Sequence, residues 1–228
     1  FIFDIPPVSV LSPRLIDILV MCASEIETLV VVPVSFIVKS ATASGNAVPL
    51  VKTSEAHLVA DLPEVPIMIE IDGHQSTLDA LGETITSLKN VCPDSILALR
   101  LPFMDDDILM SSYKLGLRVF HLVADLHGRD KDGRFVSELI RQAHTSFVDA
   151  GVRDEISLIG SGGITAAEHI PKAIICGLDA VALDTPLLAA LQAQFKGECA
   201  DRATCQITLP NELNIDWGVQ RLKNLSAA

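Results

Sequence analysis

Short runs rich in Val, Ile and Leu, each closed by turn residues, recur at Phe1–Asp4, Thr28–Val34, Val48–Thr53, Pro66–Asp72, Ser95–Leu101, Arg118–Asp125, Ile156–Ile159 and Ala180–Asp184. They are nearly continuous in apolar residues and lack strict alternation, the pattern of parallel strands covered on both faces. Between them the spacing becomes helical, as in Arg14, Leu15, Ile18, Leu19 and Cys22, and again in Phe135, Leu139, Ala143 and Phe147. Eight strands alternating with helices predict an α/β fold, a single closed (βα)8 TIM barrel. An open doubly wound sheet alternates the same elements, but the strand count and the lack of a Gly-x-Gly-x-x-Gly after the first strand favour closure. The barrel is expected to occupy residues 1–205. Residues 206–228, with Pro210, Trp217 and the run Arg221 to Leu225, read as a C-terminal extension beyond the eighth helix that continues into further sequence or is covered by a partner.

Composition narrows the class. The chain has 228 residues, 49% of them hydrophobic, enough for a sizeable core. Its 17 Lys and Arg against 29 Asp and Glu give a net charge of −12. Such a balance repels polyanions, so neither nucleic acid nor an anionic membrane is expected as a partner. The apolar runs fall short of the roughly 18 residues that a membrane span needs. A cytoplasmic protein is therefore expected, free to self-associate as a homo-oligomer. Cys22, Cys92, Cys176, Cys199 and Cys205 form an odd, scattered set that favours reduced thiols over a disulfide framework.

A barrel of this kind keeps its chemistry at the C-terminal ends of the strands. The most specific signal there is Gly160-Ser161-Gly162-Gly163, which follows a strand and reads as a loop opening a helix, so that backbone N–H groups can converge on a phosphate. The next strand ends at Asp184-Thr185. These two loops are the pair that holds phosphate in phosphate-binding barrels, and Lys52 at the end of the third strand is a further candidate for holding the anion. Asp184 would repel a phosphate unless its carboxylate turns away to cap the following helix. Because the glycine loop lies outside the core, Gly163→Asp is expected to abolish anion binding and leave the fold largely intact. Arg100, a cation within an apolar strand, must face either a carboxylate, Glu70 or Asp125, or an anionic ligand. His127, in Asp125-Leu126-His127-Gly128, sits where a histidine and a carboxylate can reach a substrate, whereas His121 reads as a hydrogen-bonded core residue. No metal site is expected.

The stretch Ile159 to Ile164, then Lys172-Ala173 and Gly177 to Thr185, resembles the FMN-binding (βα)8 domain of glutamate synthase and of glutamate-synthase-related proteins, over about residues 156–191. The resemblance implies an FMN-dependent oxidoreductase whose phosphate lies on Gly160, Ser161, Gly162, Gly163, Asp184 and Thr185. It puts Arg100 where the family has a lysine beside the flavin, and leaves His127 and Asp125 for substrate. The family has Gly where this chain has Asp184. Ala193 stands where the first of three cluster cysteines belongs, so no iron–sulfur cluster is expected. The chain holds no amidotransferase domain, and a redox or amidotransferase partner, or a longer chain, would complete the activity on a small-molecule substrate. Two other readings stay open: a degenerate barrel without flavin acting as a structural or regulatory partner, and a non-redox enzyme for a small phosphorylated metabolite using Glu70, Asp72 and His127.

Overall fold

A computed structural model describes residues 1–40, 45–74, 76–103, 106–197 and 205–227. Eight parallel strands close into one barrel in sequential order: β1 (Ile2–Phe3), β2 (Val30–Pro33), β3 (Ala47–Lys52), β4 (Met68–Asp72), β5 (Ile96–Pro102), β6 (Val119–Val123), β7 (Ser157–Ser161) and β8 (Ala180–Leu183). β1 pairs with β8 through Phe3 and Leu183, which completes the ring. All eight strands lie within the apolar runs of the sequence, apart from shifts of up to two residues at their ends. Continuous apolar character follows from double burial. Outward residues such as Phe3, Ile69, Leu99 and Phe120 pack under helices, while inward residues such as Ile2, Val31, Val48, Met68, Ala98 and Ala182 fill the lumen as a separate cluster.

The outer layer consists of α1 (Pro13–Glu25), α2 (Val34–Ile37), α3 (Leu78–Val91), α4 (Asp106–Lys114), α5 (Val136–Asp149), α6 (His169–Cys176), α7 (Thr185–Ala190) and α8 (Ile215–Ser226), with a 3-10 segment, Thr53–Asp61, after β3. Local chemistry sets their starts. Ser12 caps α1 by accepting the Leu15 N–H ahead of Pro13 at the first helical position. α1 buries Leu15, Ile18, Leu19 and Cys22 and leaves Arg14 exposed. α5 buries Leu139, Ala143 and Phe147, but Phe135 falls at its cap, half exposed beneath the Arg129 guanidinium.

Three expectations change. The boundary at 205/206 does not separate an extension from the barrel, because α8 packs against α1 and α7 and closes the helical ring. Gly218 of α8 lets the two helices approach: a Cβ there would come 2.7 Å from Ile18 Cδ1. A short antiparallel hairpin of β9 (Gln194–Lys196) and β10 (Gln206–Thr208) precedes α8. β7 runs on through Gly160 and Ser161, so only Gly162 and Gly163 lie in the loop, and α6 starts later, at His169, with Pro171 tolerated in its first turn. Cys205 is disulfide-bonded, whereas Cys22, Cys92 and Cys176 are free thiols. Cys199 lies outside the described residues. Among the described residues no helix is long and apolar enough to cross a membrane.

Candidate active site

Inward-facing positions on alternate strands share layers in a barrel of this type. One end of this lumen is charged. Asp4 follows β1, Glu70 is on β4, Arg100 on β5 and His121 on β6, and all four are buried. Arg100 reaches across the ring to Asp4 with two parallel bonds, Nη1–Oδ1 at 2.7 Å and Nη2–Oδ2 at 3.0 Å, and Nη1 also donates to Glu70 Oε1 at 2.8 Å. Glu70 and His121 stand on the strands that flank β5, with His121 Nδ1 3.0 Å from Glu70 Oε1. Burial opposes each charge. The two carboxylates nevertheless raise the proton affinity of Arg100, and His121 and Arg100 together hold Glu70 below the usual carboxylate range. Glu70 Oε2, His121 Nε2 and Ser161 Oγ are buried with no hydrogen-bond partner among the described residues.

Arg100 is therefore in an ion pair with Glu70, one of the partners read from the sequence, and with Asp4, which sequence reasoning did not offer. Asp4 was legible as a strand-end carboxylate, but its partner sits across the ring. Only closure of the barrel makes them neighbours.

The glycine loop has two roles. Gly162 and Gly163 adopt φ of 91° and 70°, the left-handed region that suits glycine. A Cβ on Gly162 would lie 2.5 Å from the Ala124 carbonyl oxygen, and one on Gly163 would overlap the Gly128 backbone. The loop is thus packed, backbone on backbone, against the β6–α5 connection. The N–H groups of Gly162, Gly163 and Ile164 meet no acceptor among the described residues. Thr185 Oγ1, at the start of α7 just after the neighbouring strand β8, is also buried and unpartnered. Consecutive N–H groups without an acceptor and an unpartnered hydroxyl, carried by the segments that follow the adjacent strands β7 and β8, suit a phosphate. Gly160 lies within β7, where a Cβ would come 2.5 Å from Leu178 Cδ1. Ser161, also in β7, faces the lumen.

Asp184 is buried and caps α7, its Oδ1 accepting the Thr185 N–H at 2.5 Å. Asp125 folds the β6–α5 loop: its Oδ1 accepts the N–H groups of His127 (2.9 Å) and Arg129 (2.7 Å). Asp130 repeats the device five residues on, accepting from Asp132 and Arg134. The His127 side chain is exposed on that loop. Lys52 is exposed at the end of β3, in register with Asp72. No group of three His, Cys, Asp or Glu that could hold a metal ion occurs among the described residues.

Comparison with known proteins places this geometry. The family described as the conserved region in glutamate synthase matches residues 124–210, which span the loop after β6, the glycine loop and Thr185. The chain is 31% identical over 129 residues to the archaeal glutamate synthase (NADPH) of Methanocaldococcus jannaschii, a match covering 54% of this chain and 24% of that protein. It is 33% identical over 103 residues to the archaeal-type glutamate synthase (NADPH) of Dehalococcoides mccartyi, covering 42% and 21%. These matches thus span a quarter or less of the relatives' length. Among solved structures, a mandelate oxidase variant with a monooxide FMN adduct superposes with a TM-score of 0.64 at 14% identity, over 99% of this chain and 71% of that one. A flavocytochrome b2 variant with pyruvate bound gives 0.62 at 12% identity, over 99% and 62%. The deoxyribose phosphate aldolase of Aeropyrum pernix gives 0.62 at 13%, over 82% and 86%. The structural likenesses establish the (βα)8 barrel fold, and the sequence likenesses show that its second half is similar to the conserved region in glutamate synthase.

Proposed function

We propose that this barrel binds FMN and serves as the flavin-bearing part of an oxidoreductase of glutamate-synthase type, within a longer chain or with a redox or amidotransferase partner. The observation that carries the reading is the coincidence of the free N–H groups of Gly162, Gly163 and Ile164 and the free Thr185 hydroxyl with the segment that matches glutamate synthase. These groups would hold the phosphate. Asp184, committed to the cap of α7, keeps one of its oxygens on Thr185. Bound FMN would supply two-electron acceptance and release, a chemistry that protein side chains lack. Arg100 Nε donates to none of the described residues, and the side chain is 9% exposed, so one edge of the guanidinium remains for a ligand over the barrel mouth. His127 and Asp125 stand on the loop that walls the cradle and are the candidates for contact with substrate.

The test is a titration of flavin-free protein with FMN, followed by flavin fluorescence and visible absorbance. Saturable quenching with about one flavin per chain supports the reading. If quenching is absent and inorganic phosphate binds alone, the site is one for a phosphorylated metabolite, which the aldolase-like barrel would equally accommodate.

A further inference from the structure

We propose that Asp125 is a positioning residue of the phosphate cradle: it folds the loop after β6 and so fixes the Gly128 backbone against which Gly163 is set. The proposal rests on the reading of the glycine loop as a cradle for phosphate. Asp125 closes its turn with main chain and side chain alike. Its N–H donates to the Arg129 carbonyl oxygen at 2.9 Å, and its own carbonyl oxygen accepts the Gly128 N–H at 3.1 Å. One carboxylate oxygen, Oδ1, accepts from the N–H groups of both His127 and Arg129, at 2.9 and 2.7 Å. The Gly128 carbonyl oxygen in turn accepts the Val136 N–H at 2.7 Å, which ties the turn to the start of α5.

What this turn presents to the cradle is backbone. A Cβ on Gly163 would overlap Gly128 Cα, one on Gly128 would lie 3.2 Å from Gly163 Cα, and one on Gly162 would lie 2.6 Å from the Asp125 carbonyl oxygen. Segments in such close contact do not shift separately. The turn therefore decides where the N–H groups of Gly162, Gly163 and Ile164 stand. The Asp130 turn supplies the contrast. Asp130 Oδ1 accepts from the N–H groups of Asp132 and Arg134 in the same manner, at 3.0 and 2.9 Å. A Cβ on Gly133 in that turn would meet nothing within 4 Å among the described residues, so its tip stands free where Gly128 is packed.

Calorimetric titration with inorganic phosphate and with FMN provides the experiment. Asp125→Ala should weaken binding about tenfold, the loss expected when the cradle holds its binding arrangement about a tenth of the time. Asp125→Asn keeps a side-chain oxygen for both N–H groups and should stay within about threefold of the parent. Asp130→Ala, which opens the free turn, should also stay within about threefold. Other roles leave other marks. A carboxylate that acts on the phosphate by charge alone makes both Asp125 variants bind more tightly. One that only contacts substrate leaves phosphate affinity unchanged in both, and one that only stiffens the loop makes Asp125→Ala and Asp130→Ala alike. Any of these results, or an Asp125→Ala chain that no longer folds, overturns the proposal. If the parent binds neither probe, the reading of the cradle fails, and positioning is tested without ligand by hydrogen exchange. The peptide covering residues 160–165 must then exchange faster in Asp125→Ala than in the parent and in Asp125→Asn; equal exchange overturns the proposal.

Discussion

Arg100 and Asp4 stand on opposite walls of the barrel and join through two parallel hydrogen bonds, 2.7 and 3.0 Å, that span the lumen. A planar guanidinium can do this and an ammonium cannot, because two oxygens of one carboxylate are engaged at once. Breaking the strut from one side strands buried charge. Arg100→Leu should destabilise the protein by about 3–5 kcal/mol, because Asp4 and Glu70 remain buried together without a cation. Urea unfolding at neutral pH measures the loss, and a change under about 1 kcal/mol would mean that water reaches the cluster.

Acid should weaken the same cluster through Glu70. Its carboxyl is held below its ordinary value of 4.5 in the folded state. A depressed folded value means that the unfolded chain binds the proton more readily. The stabilisation is complete above about pH 4.5 and is lost as pH falls through the lower, folded value. Glu70→Gln should be less stable than the parent at about pH 7, and the gap should narrow at about pH 3. A gap independent of pH, from parallel urea titrations, would show that Glu70 is not held as an anion by its neighbours.

The apolar runs alone revealed the eight strands, because double burial writes itself into each strand locally. The interior ion pairs were only half legible. Glu70 and Arg100 lie on adjacent strands and could be paired by reading, but Asp4 is 96 positions from Arg100 and meets it only through ring closure. The role of α8 was hidden for a similar reason. Its start at Ile215 lies 25 residues beyond the end of α7 at Ala190 and carries its own cap at Asn214, so by sequence it looks detached. Its partner face is the one that α1 exposes at the other end of the chain, where Lys223 also binds Glu25 at 2.6 Å.

Shortening the chain tests that last point. A protein ending before Leu213 would uncover Ile18 of α1 and lose the burial of Val219 and Leu222. Burial of two such side chains is worth about 3–6 kcal/mol, a large part of a domain's stability. The truncated chain should therefore lose its cooperative thermal transition or bind a hydrophobic dye. Retention of the parent's melting temperature would restore residues 206–228 to the status of an appendage.

Gly163 is a poor probe of the phosphate site, contrary to what its place outside the core suggests. A side chain there would collide with the Gly128 backbone, and φ of 70° adds strain. Gly163→Ala should destabilise by about 1–3 kcal/mol and displace the β6–α5 loop, so lost binding would reflect a moved wall as much as a filled cradle. A melting temperature equal to the parent's would show that the two loops separate freely.

Thr185 and Asp184 are better placed to divide a flavin barrel from a degenerate one. Thr185→Val removes the unpartnered Oγ1 and keeps the shape of the side chain. A hydrogen bond to a charged group is worth about 1.5–3 kcal/mol, so affinity for FMN and for inorganic phosphate should fall at least tenfold with little change in melting temperature. Asp184 acts in the other direction. Its carboxylate accepts the Thr185 N–H as the cap of α7, so Asp184→Gly should lower stability by about 1 kcal/mol through the lost cap. FMN affinity should change by less than about threefold, because a capping carboxylate is directed at its own helix and not at the glycine loop. If the carboxylate in solution leaves that cap and turns to the glycine loop, filling the anion site, the same substitution vacates the site. A large gain in affinity for FMN or phosphate in Asp184→Gly, titrated beside the parent, would identify the chain as a barrel that has replaced its cofactor's phosphate with its own side chain.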